Sequence, residues 1–129
     1  VLDNSFPKPN EKENWLTILA AFWVSYADDN FHYKERREVS KLCSVKEFNE
    51  LNELVSEQDS PSIFLSQYFS EALKSEDINK SKKAMLLEKV VLIARADGSI
   101  NNEEEEIIEE ICKLLELDTA FMAHILAKT

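Results

Sequence analysis

Ala96-Asp97-Gly98-Ser99-Ile100-Asn101-Asn102-Glu103-Glu104 is the stretch on which the fold turns. An apolar helical pattern runs into it and another runs out. Between them stand an acid, the chain's only glycine, an isoleucine and, seven residues after the acid, a glutamate. The chain carries this arrangement twice. Ala27-Asp28-Asp29-Asn30-Phe31-His32-Tyr33-Lys34-Glu35 lies 69 residues earlier and matches it at Ala27/Ala96, Asp28/Asp97, Phe31/Ile100 and Glu35/Glu104. The correspondence continues outward. Leu16 matches Met85, Phe22 matches Val91 and Trp23 matches Leu92 upstream; Val39 matches Ile108, Leu42 matches Ile111 and Cys43 matches Cys112 downstream. A repeat of this kind governs the whole fold.

At either end of the repeats the spacing predicts helices throughout. Trp15, Ile18, Leu19, Phe22, Trp23 and Tyr26 recur at three and four over 11–27, and His32 to Cys43 form a second helix, with His32 and Glu35 as a weak capping pair. Ser44 and Glu47 are a stronger capping box and open a third helix to about Ser56, with Phe48, Leu51, Leu54 and Val55 inward. Ser60 and Pro61 stand at the N-cap and first position of a fourth, carrying Ile63, Phe64, Tyr68, Phe69 and Leu73. Ser75-Glu76-Asp77 is expected to start the fifth and longest helix, from Ile78 through Met85, Leu86, Leu87, Val90, Val91, Ile93 and Ala94. Its wide apolar surface marks it as the central helix of the domain. Gly98 supplies the left-handed residue that ends it. Asn101 with Glu104 caps a sixth helix with Ile107, Ile108, Ile111, Leu114 and Leu115 inward, and Asp118-Thr119 caps a short seventh with Phe121, Met122, Ile125 and Leu126.

The fold expected is an all-α single domain, a bundle of about seven helices with an internal pseudo-duplication. Residues 1–10 are an irregular lead-in and 11–129 the helical domain, with repeat units at about 15–43 and 84–112. A length of 129 residues suits one domain with a real core, and one glycine and three prolines provide too few turns for an all-β fold. The chain opens without methionine, as a processed chain or a domain of a longer one would.

The net charge of −10 disfavours nucleic acid and anionic membrane surfaces as direct partners. No run of 18 apolar residues exists, so no transmembrane segment is expected and at most peripheral association through a partner; the opening Val1-Leu2-Asp3-Asn4-Ser5-Phe6-Pro7-Lys8-Pro9 does not read as a signal peptide. Cys43 and Cys112 fall on helical apolar stripes and read as core thiols of a cytoplasmic protein, though sequence alone leaves a disulfide between the two halves open. His32 and His124 are too few for a zinc site, a Cys–His catalytic pair would need a thiol off the core stripe, and one glycine cannot build a phosphate loop. Nothing converges as an enzyme would require. The run Glu103 to Glu106, with Glu109 and Glu110, is a solvated helix face whose first-turn acids favour the dipole, or else a cation funnel. The aromatic stripe from Trp15 to Phe31 is core, or a partner-binding patch where it stays exposed.

The acids at the two junctions are the candidate site. Asp28 and Asp97 sit at the ends of apolar helices, where a negative charge opposes the dipole by about 0.3–1 kcal/mol. Either backbone N–H groups of the next helix offset this, with Glu35 and Glu104 as third-position capping residues, or a divalent cation does, held by Asp28, Glu35, Asp97 and Glu104. The second copy is similar to the back half of an EF-hand loop, with Asp97, Gly98, Ile100 and Glu104 in step. Its first ligand positions, however, fall on Ile93 and Arg95, and on Val24 and Tyr26 in the first copy, with Asp29 in place of glycine. Neither copy has the ligands of a working calcium loop.

The nine-residue unit resembles the TerB-like family, named for a bacterial tellurite-resistance protein, whose helix junctions carry Ala-Asp-Gly-x-Ile-x-x-x-Glu. Residues 96–104 fit fully, and residues 27–35 depart at Asp29. The resemblance implies an all-helical domain of duplicated origin, linked to tellurite resistance and stress response, with relatives in a membrane-anchored DnaJ-type co-chaperone. It implies no catalytic activity and, in some members, metal held by the motif acids, which here are Asp28, Glu35, Asp97 and Glu104; a protein partner is expected besides.

Overall fold

The structure, a computed structural model, describes residues 12–27, 33–74, 78–96, 98 and 100–128; for 12–15, 33–35 and 128 it describes the backbone alone. Among these residues there are seven helices and no strand: α1 (Lys12–Ser25), α2 (Tyr33–Ser40), α3 (Val45–Ser56), α4 (Pro61–Lys74), α5 (Lys80–Ala94), α6 (Asn102–Leu114) and α7 (Thr119–Lys128). The all-α reading holds. The expected lead-in, residues 1–10, lies outside the described residues.

Side-chain chemistry sets most of the boundaries. Ser44 accepts from the Glu47 N–H at 3.1 Å and Glu47 accepts from the Ser44 N–H at 2.9 Å, the reciprocal box that starts α3. Pro61 opens α4, with the Ser60 hydroxyl 3.4 Å from the Ile63 N–H. Asp118 starts α7 by accepting from the Ala120 N–H at 2.9 Å. The start of α5 is later than expected. Asn79, not Ser75-Glu76-Asp77, is its N-cap, because the Asn79 amide oxygen accepts from the Lys82 N–H at 2.9 Å; residues 75–77 lie outside the described residues. α2 is also shorter than expected, ending at Ser40 with Lys41 and Leu42 in turn geometry.

The central helix is α1, not α5. Every described α1 side chain from Leu16 to Ser25 is buried, on all sides of the helix. α1 packs chiefly on α4 and α5, and also on α6 and α2. Trp23 lies 5.9 Å from the Phe69 ring on α4, and Phe22 lies 5.4 Å from Phe48 on α3. Each large apolar side chain taken fully out of water contributes about 1.5–3 kcal/mol, so this one helix carries much of the core. Tyr26, just past its end, donates to the Asn52 side chain of α3 at 2.7 Å. The wide apolar surface of α5 has another cause: part of it is not buried. Leu86, Leu87, Val90, Val91, Ile93 and Ala94 are in the core, whereas Met85 and Leu92 face outward.

α6 ends in a complete Schellman motif without glycine. Glu116 takes φ +59°, its N–H bonds to the Lys113 carbonyl at 3.0 Å, and the Leu117 N–H bonds to the Cys112 carbonyl at 3.0 Å. The buried Leu117 fixes the chain as it turns into α7.

Candidate functional site

The second junction is built by backbone geometry first. α5 closes on Arg95, whose N–H bonds to the Val91 carbonyl at 3.1 Å; the Ala96 N–H follows to Ile93 at 3.0 Å and the Gly98 N–H to Arg95 at 2.8 Å. Gly98 takes φ +104°, a conformation that side chains rarely adopt, and a Cβ there would meet nothing within 4 Å. Glycine is needed for the turn itself, not for space. Ile100 then packs against the core.

Asn101 begins α6. Its side chain accepts from the Glu104 N–H at 2.8 Å, and the Glu104 carboxylate accepts from the Asn101 N–H at 3.0 Å. This is the same reciprocal box as Ser44/Glu47, in a different setting. Glu47 is half-exposed, whereas Glu104 is 3 % exposed and is the only buried acidic or basic side chain (Asp, Glu, Lys, Arg or His) among the described residues. One Glu104 oxygen is engaged by the cap; the other has no hydrogen-bond partner among the described residues.

Of the four predicted site acids, Glu104 alone is described in full. Asp28 and Asp97 lie outside the described residues, and Glu35 is seen only as backbone in α2. Among the described residues no group of three or more His, Cys, Asp or Glu is placed to hold a metal. The positions that break the calcium-loop pattern have structural duties. Ile93 is buried, and the Arg95 guanidinium donates to the Leu126 carbonyl near the end of α7. Glu103, Glu105, Glu106 and Glu110 are exposed, and Glu109 pairs with Lys113 at 3.3 Å, so this run forms a solvated face.

At the first junction the Ala27 N–H bonds to the Val24 carbonyl at 3.1 Å as α1 ends. His32 and Phe31 lie outside the described residues. The Tyr26 phenol is pushed above its ordinary pKa by burial, with Arg36 partly opposing this. Ser25, three residues before Asp28, is buried with its hydroxyl unpartnered among the described residues. Sequence reasoning missed this hydroxyl and the Asn52 partner of Tyr26, since neither position carries a periodicity or motif signal.

The model of the family described as "Tellurite resistance protein TerB" matches residues 24–127. The chain belongs to the TerB family. That match spans both junctions, from the last turn of α1 to the last of α7, so the resemblance carried by two short motifs extends over most of this TerB domain. No curated protein and no solved structure matches the chain.

The cysteines of the TerB domain are both free thiols, which closes the question of a disulfide between the halves. Cys112 is fully buried and donates to the Leu117 carbonyl at 3.4 Å; burial raises its pKa, with Asp118 and Glu109 adding to the effect. Cys43 is half-buried, and its thiol is pushed up to about 11 by desolvation and then by Glu47. Protonated thiols of this kind are poor nucleophiles. His124 is exposed. No helix among the described residues is long and apolar enough to cross a membrane.

Proposed function

We propose that this TerB-type domain is a non-enzymatic cytoplasmic binding module of a stress response of the tellurite-resistance type. Its two helix junctions hold a divalent cation through Asp28, Glu35, Asp97 and Glu104. The reading rests on Glu104. A capping box does not need a buried glutamate: Ser44/Glu47 caps α3 with Glu47 half-exposed. Removing a carboxylate from water is costly unless something compensates, and the cap bond takes only one of the two Glu104 oxygens. A cation on the other oxygen would add to that compensation. Four carboxylates form a hard, all-oxygen donor set suited to Ca²⁺ or Mg²⁺ rather than to zinc. Bound there, the cation would neutralise the acids and tie one junction to the other.

The experiment is calorimetric titration with Ca²⁺, Mg²⁺, Mn²⁺ and Zn²⁺ on the wild type and on Asp28→Asn/Asp97→Asn, with thermal melts alongside. Heat and a melting shift are expected in the wild type and not in the double variant. A wild type with neither sinks the metal reading.

The capping geometry favours a second reading. Here the acids serve only as helix caps and the domain works by docking a protein partner. Asp97→Ala would then lower stability by about 0.5–2 kcal/mol, as cap losses do, and cations would change nothing.

A further inference from the structure

The two copies of the repeat differ in what covers them. At the 69-residue offset, Phe22 and Val91 are both buried, as are Val39 and Ile108. Two other pairs split. Leu16 is 0 % and Trp23 1 % exposed, while their counterparts Met85 and Leu92 are 54 % and 58 % exposed. On α1 this face is covered by α4, with Phe69 against Trp23. No helix among the described residues covers the equivalent face of α5. Met85 and Leu92 are seven residues apart, two turns on one face and about 10 Å from each other.

The helices around this stripe are richer in bases than the rest of the chain. Lys82 and Lys89 are exposed on the same side of α5, with the half-buried Glu88 between Met85 and Leu92; α2, which packs against α5, carries exposed Arg36 and Arg37, with Arg36 over the Phe48 ring of α3. Together α2 and α5 hold seven of the chain's 15 Lys and Arg but three of its 25 Asp and Glu, in a chain of net charge −10.

We propose that the outer face of α5, Lys82–Met85–Lys89–Leu92, docks an acidic amphipathic helix from a partner protein, seated on α5 as α4 is seated on α1. The partner's apolar residues, one or two turns apart, would cover Met85 and Leu92, and its acids would meet Lys82 and Lys89. A second copy of this chain fits less well. It would bring together two chains that each carry a net charge of −10. An anionic membrane also fits less well: interfacial helices use a broad apolar face, and the remaining apolar face of α5 is already in the core.

The probe is a fluorescein-labelled, lactam-stapled helical peptide with leucines at i, i+3 and i+7 flanked by glutamates, titrated by anisotropy with EDTA present so that cation binding plays no part. Saturable binding that weakens with salt is expected. Met85→Glu or Leu92→Glu should weaken it at least about tenfold, the scale of losing one buried anchor. Lys82→Glu/Lys89→Glu should weaken it and flatten its salt dependence. Ile63→Glu, at an equally exposed apolar residue on α4, should leave it unchanged. Thermal melts check that each variant is folded. The proposal is overturned if the peptide does not bind, or if Ile63→Glu matters as much as Leu92→Glu. It is equally overturned if the stripe binds phosphatidylserine vesicles in preference to the peptide, or if sedimentation shows self-association that Leu92→Glu abolishes.

Discussion

Two glutamates in this chain perform the same capping task, one half-exposed and one buried, and substituting each separates the cap from what burial adds. Glu104→Gln keeps a carbonyl oxygen able to accept from the Asn101 N–H but removes the charge. A hydrogen bond to a charged acceptor contributes about 1.5–3 kcal/mol and one to a neutral acceptor about 0.5–1.5 kcal/mol, so the change costs about 1 kcal/mol in metal-free buffer. Glu47→Gln makes the same chemical change where water already screens the carboxylate, so it costs a few tenths of a kcal/mol, about the size of an exposed dipole effect. For a domain of this size the first should lower Tm by about 3–5 °C and the second by about 1 °C. The assay is calorimetric or CD melting in EDTA, repeated with added cation. At a concentration of about 100 Kd a bound cation adds about 2.7 kcal/mol, and Glu104→Gln should remove most of that increment while Glu47→Gln leaves it intact. Equal costs in EDTA would refute the argument from burial. A full cation shift in Glu104→Gln would refute the assignment of Glu104 as a ligand.

Gly98→Ala should cost about 1–2 kcal/mol, read by chemical denaturation, because φ +104° penalises any Cβ although the space around it is open. Glu116→Gly should raise stability by about 0.5–1 kcal/mol in the same assay, since glycine relieves the φ +59° turn that closes the Schellman motif and returns part of that gain as unfolded-chain entropy. Cys43 should titrate near pH 11 by thiolate absorbance. Its folded pKa is raised, so the contribution of the neutral thiol to stability is complete below about pH 9 and is lost as pH rises toward 11, a loss absent in Cys43→Ser.

Much of the fold was legible because helix starts are written in local chemistry. Ser44/Glu47, Ser60/Pro61, Asn101/Glu104 and Asp118 each act within three residues of one another, and sequence displays such pairs directly. Asn79 was overshadowed by the more familiar Ser-Glu-Asp series just before it, although it is itself a favoured cap. The glycine-free end of α6 went unread because Glu116 has no left-handed preference; the buried Leu117 and two backbone bonds hold it there. The rank of α1 over α5 was not legible for a different reason. Periodicity reports how much of a helix is apolar, and α5 scores by that measure with two residues that face water. Whether an apolar residue is covered depends on which helix reaches it, a fact held in chain segments far away. Within the candidate site, sequence pointed to Glu104 as a third-position acid, but its burial depends on helix packing and left no local mark.

That distinction explains why two junctions of matching sequence pattern lead to unequal helices. The chain between the two copies contributes α3 and α4, and both lie against the first copy. Phe69 meets Trp23, Phe48 meets Phe22, and Asn52 takes the Tyr26 hydroxyl. The second copy is followed by α7, which packs on α5 and α6 and is tied down by the Arg95 bond to Leu126. One long insertion therefore turns α1 into the core, and one short extension leaves a face of α5 that no helix among the described residues covers. Leucine and methionine at matched positions do different work on that account: Leu16 is fully buried in the core, whereas more than half of Met85 stays exposed. Positions of this second kind are free of the demands of folding. If the junction acids are shared by the fold and the site, the α5 stripe is apolar surface that no helix among the described residues covers. A partner would be the reason for its chemistry, and the response of peptide binding to Leu92→Glu against Ile63→Glu decides the matter.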